Sequence, residues 1–369
     1  MDKIIKLTPA IKDYVWGGEK LKKYGKHADT NIAETWELSF HKDGLCLDEN
    51  GTPLRDAVSY GELGENVKDF PFFPMLIKLI DAKDNLSVQV HPSDEYALKN
   101  EGQFGKTEMW YVVEADEGAG LYLGLKKDVT PEEFALAIEN NTVLSLLNFV
   151  KVQKGDHYFI KSGTVHAIGK GCTICEIQQN SNLTYRVYDY DRRDKNGNAR
   201  PLHIEKAKAV ANLRGGKPVS VDISEPNDAI IGCSKYFTVR YAKIDGSLSF
   251  TADKDSFFAV TFVSGSGDID GKKASAGDTF FVPANYGKFT VSGNAEVILS
   301  CVEKYFATVS KDDISLKAEV VSSKGNVVAA GIKRIEQPDL QAEKTCLLNK
   351  ILLPLGMDTN DLSEIKTDF

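Results

Sequence analysis

Two stretches far apart in the chain share one pattern. GDHYFIKSGTVHAI begins at Gly155, and GDTFFVPANYGKFTV begins at Gly277. In each, Gly-Asp supplies a turn, an aromatic and aliphatic strand follows, and small residues turn the chain into the next strand. Each is preceded by another strand-turn-strand unit. A unit of this kind made twice points to two small β-barrels, and 369 residues are too many for one small core. When the two copies are superposed, His166 of the first falls opposite Lys288 of the second. The second barrel therefore lacks whatever His166 does in the first.

The rest of the chain reads as mainly β. FPFFPMLIKLIDA (70–82) is a buried strand punctuated by proline, and LSVQVHP follows it after a turn at Asp84 and Asn85. TEMWYVVEA (107–115) and GLYLGL form a hairpin around DEGAG. TPEEFALAIEN has Thr130 as N-cap, Pro131 at the first helical position and Glu132 and Glu133 in the first turn. VLSLLNFV is expected to continue that short helical insert, and RPLHIEKAKAVANL to form a second helix. From about 218 to 303 nearly everything is strand and turn.

SVQVHP (87–92) carries the first chemical signal. A strand sends residues i and i+2 to one face, so Gln89 and His91 point together, away from Val88 and Val90. Glu108 opens an apolar strand in which a lone carboxylate is costly to bury. His166 lies in GTVHAI, just after a turn. Imidazoles and a carboxylate from separate strands suit a zinc-like divalent cation, and the Gln89 amide oxygen can complete the set. A single strand histidine is more often a hydrogen-bonded core residue than a ligand. The company of these residues shifts that balance. Lys78 interrupts MLIKLIDA, Lys106 precedes Glu108, Arg186 lies in TYRVYD and Glu176 in ICEIQQN. A cation in an apolar strand faces either a cavity holding an anion or, at a sheet edge, solvent. His157 reads as exposed, and Arg192 and Arg193 as a solvated loop.

These segments together resemble the type I mannose-6-phosphate isomerases, in their short bacterial form. The resemblance rests on YVWGG, AETWELS, QVHP, KTEMWY, GTVHAIGKG, EIQQNS, TYRVYD and RPLHIEKA, in that order over roughly residues 1 to 303. It implies a double cupin with a short helical insert. The catalytic barrel would span 1–217, with the insert at about 130–148 and a helix at 201–213. A cupin-like barrel without metal ligands would span 218–303, followed by an extension at 304–369. The resemblance also implies one zinc ion per chain on Gln89, His91, Glu108 and His166. Arg186, Lys106 and Glu176 would be the catalytic side chains, and Lys78, Trp16 and Glu34 would bind a phosphorylated hexose. The expected reaction interconverts mannose 6-phosphate and fructose 6-phosphate through a cis-enediol. This chain has Asn182 and Ile168 where the long forms have aspartate and tyrosine, which leaves the role of both positions open.

Composition limits the other readings. A net charge of −8 argues against a nucleic-acid partner, and no apolar run approaches the length of a membrane span. The start lacks a signal-peptide pattern. Of six cysteines only Cys172 and Cys175 are close, on opposite faces of one strand, which fits reduced structural thiols in a cytoplasmic enzyme. Three alternatives stay open at this level: an iron-dependent oxygenase, a non-catalytic sugar-phosphate binder, and an isomerase of another phosphosugar.

Overall fold

The computed structural model describes residues 3–193, 196–218, 228–312, 314–337 and 339–368. Two sheets build the first barrel. A six-stranded sheet runs Ala10–Lys12, Glu34–Leu38, Met75–Asp81, Cys172–Gln179, Glu108–Ala115, His157–Ile160. A five-stranded sheet runs Tyr185–Tyr188, Val88–Val90, His166–Ile168, Gly120–Leu125, Leu147–Lys151.

The strand Met75–Asp81 is buried along its whole length because both faces of its sheet are covered. Met75, Ile77 and Leu79 share a core with Phe257, Phe281 and Ile298 of the second barrel. Lys78 and Ile80 face the other way, into the first barrel. Lys78 is thus neither at a sheet edge nor in solvent. Cys172 and Cys175 divide in the same manner: Cys175 joins the core between the barrels, and Cys172 the core inside the first.

The second barrel is a seven-stranded sheet built on the long strands Thr238–Ala252, Phe258–Ile269 and Gly287–Cys301. Its interior holds Phe258, Phe262, Phe280 and Phe289 among other apolar residues. The repeat is visible in the backbone. Gly155 and Gly277 both have positive φ, 94° and 98°, where a side chain would be strained. Gly155 N–H donates to Val112 O, and Gly277 N–H donates to Phe262 O. Lys288 is exposed. One strand crosses between the units: Ile5–Lys6 pairs with Thr279–Val282 and belongs to the second barrel's sheet.

The insert differs from its pattern. Thr130 and Glu133 form a capping box on the helix Pro131–Glu139, as their spacing predicts. A 3-10 turn follows at Val143–Leu146, but Leu147–Lys151 is a strand paired with Gly120–Leu125. Its alternating burial suits a sheet edge, a choice that pairing makes and local propensity does not. The second helix is confined to Ile204–Val210. Residues before it bind along the neighbouring strand instead, with His203 N–H donating to Arg186 O. Residues 219–227, which follow the expected boundary between barrels, lie outside the described residues.

Residues beyond 304 form a four-stranded sheet, Val327–Arg334, Ser315–Ser322, Tyr305–Lys311, Glu364–Thr367, covered by the helix Leu340–Leu352. No helix among the described residues is long and apolar enough to cross a membrane.

Candidate functional site

Strand register assembles the site as two rows. Across the six-stranded sheet, Trp36, Lys78, Glu176, Trp110 and Tyr158 stand side by side, with Glu108 two residues from Trp110. Across the five-stranded sheet, Arg186, Gln89 and His166 are register partners. The rows meet inside the first barrel, where the Trp110 and His166 rings lie edge to face at 5.3 Å.

His91, Glu108 and His166 are buried, and their ligand atoms lie within 4.8 Å of one another. Each imidazole places Nδ1 2.8 Å from a backbone carbonyl, His91 from Leu183 O and His166 from Thr164 O. Those bonds assign the proton to Nδ1 and leave a lone pair on Nε2. The two Nε2 atoms face Glu108, His91 at 3.7 Å from Oε2 and His166 at 3.1 Å from Oε1. Neither Glu108 oxygen has a hydrogen-bond partner. Lys106 Nζ pairs with Oε2 and lies 3.3 Å from His91 Nε2, but Oε1 faces the His166 Nε2 lone pair, acceptor against acceptor, an arrangement that a metal cation between them relieves. The Gln89 amide lies 3.4 Å from His166 Nε2, and a flip of that amide turns its oxygen toward the same point. These residues fit a divalent metal with nitrogen and oxygen ligands.

Their charge states agree with that role. Burial pushes His91 well below its ordinary pKa, with Lys106 adding to the effect, so it is neutral and competent as a ligand. Burial alone would raise the Glu108 carboxyl, but the Lys106 ammonium, the foremost opposing charge, helps to hold the group well below the usual carboxylate range. Lys106 Nζ approaches Glu108 Oε2 to 2.7 Å and Glu176 Oε1 to 3.7 Å.

A cavity of about 260 Å³ adjoins these residues. Trp16, Glu34, Lys78, Gln89, Lys106, Glu176 and Arg186 line it, so the side chains expected to act on substrate share one space with a metal-ligand candidate. Ile168 and Asn182 line it too, and Asn182 Nδ2 donates to Asp43 Oδ2 at 3.1 Å. Lys78 lies 3.3 Å from Glu34 Oε2 and 3.4 Å from Glu176 Oε1. Trp36 and Trp110 donate their indole N–H groups to Glu34 and Glu176. Burial raises the Glu176 pKa; the lysines pull against it, while Glu108 and Glu34 reinforce it.

Sequence reasoning missed Arg200. It lines the same cavity, gripped by Asp189 at 2.7 Å from Nε and 2.5 Å from Nη2. Asp189 also takes Arg192 Nη2 at 2.6 Å, so Arg192 is fixed and only Arg193 keeps the loop role expected of both. The signal lay in the quoted segment RPLHIEKA, but nothing local shows that its arginine turns inward. Arg186 donates to Ser87 Oγ and Pro201 O and has no carboxylate in ion-pair contact among the described residues. His157, expected to be exposed, is a buried residue of its strand.

Residues 4–117 match the family "Phosphomannose isomerase type I, catalytic domain", and residues 229–302 match "Mannose-6-phosphate isomerase, cupin domain". A probable mannose-6-phosphate isomerase of Bacillus subtilis is 37% identical over 310 residues, covering 80% of this chain and 98% of the relative. The chain belongs to the mannose-6-phosphate isomerase family. Another member, from Streptococcus mutans, is 37% identical over 303 residues, or 78% of this chain and 94% of its own. The crystal structure of the Bacillus subtilis mannose 6-phosphate isomerase superposes with a TM-score of 0.72 at 34% identity, covering 80% of this chain and 99% of that one. The double cupin of the family is the fold found here. About one fifth of the chain has no counterpart in these members.

Proposed function

We propose that this chain interconverts mannose 6-phosphate and fructose 6-phosphate, with one zinc ion held by Gln89, His91, Glu108 and His166. The observation that carries the reading is the buried cluster of Glu108, His91 and His166, in which Glu108 Oε1 faces the His166 Nε2 lone pair at 3.1 Å, beside a cavity lined by cations. A bound zinc ion would supply Lewis-acid polarisation of the sugar oxygens.

The protein's own groups divide the remaining work. Isomerisation moves a proton between C1 and C2 through a cis-enediol, which needs a carrier of that proton. Glu176 suits the task. Trp110 holds its Oε2 at 2.9 Å, while Oε1 has no hydrogen-bond partner and faces the two lysines. Its raised pKa moves it toward the pH at which it must both take and return a proton. Lys106 stabilises charge that develops on the enediolate. Lys78 holds Glu34 and Glu176 in place, and Trp16 closes the wall beside them.

Pairing of the charges favours one end of the cavity for the phosphate. At the end with Lys78 and Lys106, both lysines are already paired with Glu34, Glu108 and Glu176. The other end has Arg186 and Arg200 on its wall, and of these Arg200 is paired with Asp189 while Arg186 has no carboxylate in ion-pair contact among the described residues. A dianion belongs at the second end, where guanidinium groups can bind it in bidentate fashion. Arg200→Ala is expected to raise KM about 10- to 100-fold, the worth of a hydrogen bond to a charged group, with kcat little changed. Steady-state kinetics check this, and an unchanged KM would remove Arg200 from the substrate site.

The activity itself is tested by a coupled assay of purified protein with mannose 6-phosphate. Turnover should stop on chelation and return with zinc. Absence of turnover in the zinc-loaded protein, or full turnover after verified metal removal, overturns the proposal.

A further inference from the structure

The second barrel holds no group of metal ligands among the described residues, yet it is connected to the metal-ligand strand by hydrogen bonds. Tyr236 lies in the turn between Asp228–Cys233 and Thr238–Ala252 of that barrel. Its hydroxyl donates to Asp94 Oδ2 at 2.5 Å. Asp94 Oδ1 in turn accepts Gln179 Nε2 at 2.8 Å and the backbone N–H of Gly105 at 2.9 Å. Gln179 Oε1 accepts the backbone N–H of Thr107 at 2.8 Å. Gln179 N–H closes the loop by donating to Thr107 O at 3.0 Å.

The place where these bonds end gives them meaning. Gly105 and Thr107 bracket Lys106, and Thr107 precedes Glu108. Glu108 is the first residue of its strand, so the ladder does not fix the segment before it. Side-chain bonds from Asp94 and Gln179 hold that segment together with the backbone bond from Gln179 N–H to Thr107 O. Lys106 N–H also donates to Pro92 O, next to His91, so the same segment sets the spacing between two ligands. Tyr236 and Gln179 are both buried, and Asp94 between them is partly exposed. The Tyr236 pKa is raised by burial and by Asp94, so the hydroxyl remains a donor.

We infer that Tyr236, Asp94 and Gln179 are positioning residues, through which the metal-free barrel sets the placement of Glu108 and Lys106. This rests on the metal reading of the site given above. Outer partners that orient a ligand typically govern 10- to 100-fold in metal affinity.

The test is cobalt(II) binding to the metal-stripped full chain, followed by its visible d–d spectrum and by competition with a chelator. Tyr236→Phe removes only the hydroxyl. It is expected to weaken cobalt affinity about tenfold and to alter the band intensities. Asp94→Asn keeps the shape of Asp94 and its Oδ1 acceptor, so a smaller loss of the same kind is expected. A purely structural role would lower the melting temperature of the stripped protein and leave cobalt affinity and spectrum at wild-type values; that result overturns the inference. If Tyr236→Phe does not fold, Asp94→Asn decides by the same two readouts. A wild-type chain that binds no cobalt would refute the metal reading, and with it the relay. A chain that binds cobalt but does not isomerise mannose 6-phosphate would refute only the proposed activity.

Discussion

Glu176→Gln is expected to lower kcat by about two to four orders of magnitude, the range that a positioned proton carrier contributes, with KM changed much less. Glutamine keeps the shape and can still accept the Trp110 indole N–H that now bonds Oε2 at 2.9 Å. It cannot take up a proton. The substitution also removes one of three carboxylates around Lys78 and Lys106, so these lysines will be less well compensated. A modest loss of stability should therefore accompany the loss of rate, and thermal unfolding of the variant separates the two. Turnover within a few-fold of wild type in a correctly folded variant would transfer the proton to another group, and Glu34 would be the next to test.

The second large effect is expected at Glu108. Glu108→Gln preserves the volume but removes the charge that faces His91 and His166. Loss of an outer partner costs up to about 100-fold in metal affinity, and removal of a ligand charge should exceed that. The variant should lose its bound metal on dialysis and its isomerisation with it. It also leaves Lys106 without the carboxylate 2.7 Å away, and uncompensated buried charge is costly. Metal content by elemental analysis and a coupled assay on the same sample check both halves. One equivalent of metal retained with normal turnover would show that Glu108 is not a ligand.

How much of this was legible in the sequence depends on the distance over which each feature is determined. The period-two alternation in SVQVHP set Gln89 apart from Val88 and Val90, because strand geometry dictates it, although the strand itself ends at Val90, one residue before His91. The Gly-Asp repeat foretold the two related barrels, since the turn needs a glycine with positive φ at Gly155 and at Gly277. The Thr130 N-cap was readable for the same local reason. VLSLLNFV misled: its apolar residues suit helix or strand, and pairing with Gly120–Leu125 settled Leu147–Lys151 as strand. Arg200 stood in a quoted segment with nothing local to show that it turns inward, and Tyr236 gave no sign at all. One acts through a carboxylate eleven positions before it, the other through two side chains of a different barrel.

Lys78 marks the same division. Its position inside an apolar run was enough to single it out, and a cavity or an edge could explain it. Only the register shows Lys78 beside Glu176 on the next strand, with Glu34 close by, so that its charge is already compensated. Local sequence determined which residues could turn inward, because alternation and turn stereochemistry operate over a few residues. Tertiary structure decided which charges meet, because ion pairs and lone-pair contacts depend on strands separated by up to about a hundred residues. That is why candidate metal ligands could be picked out in the chain, while the partition of the cavity into a lysine–carboxylate end and an arginine end could not.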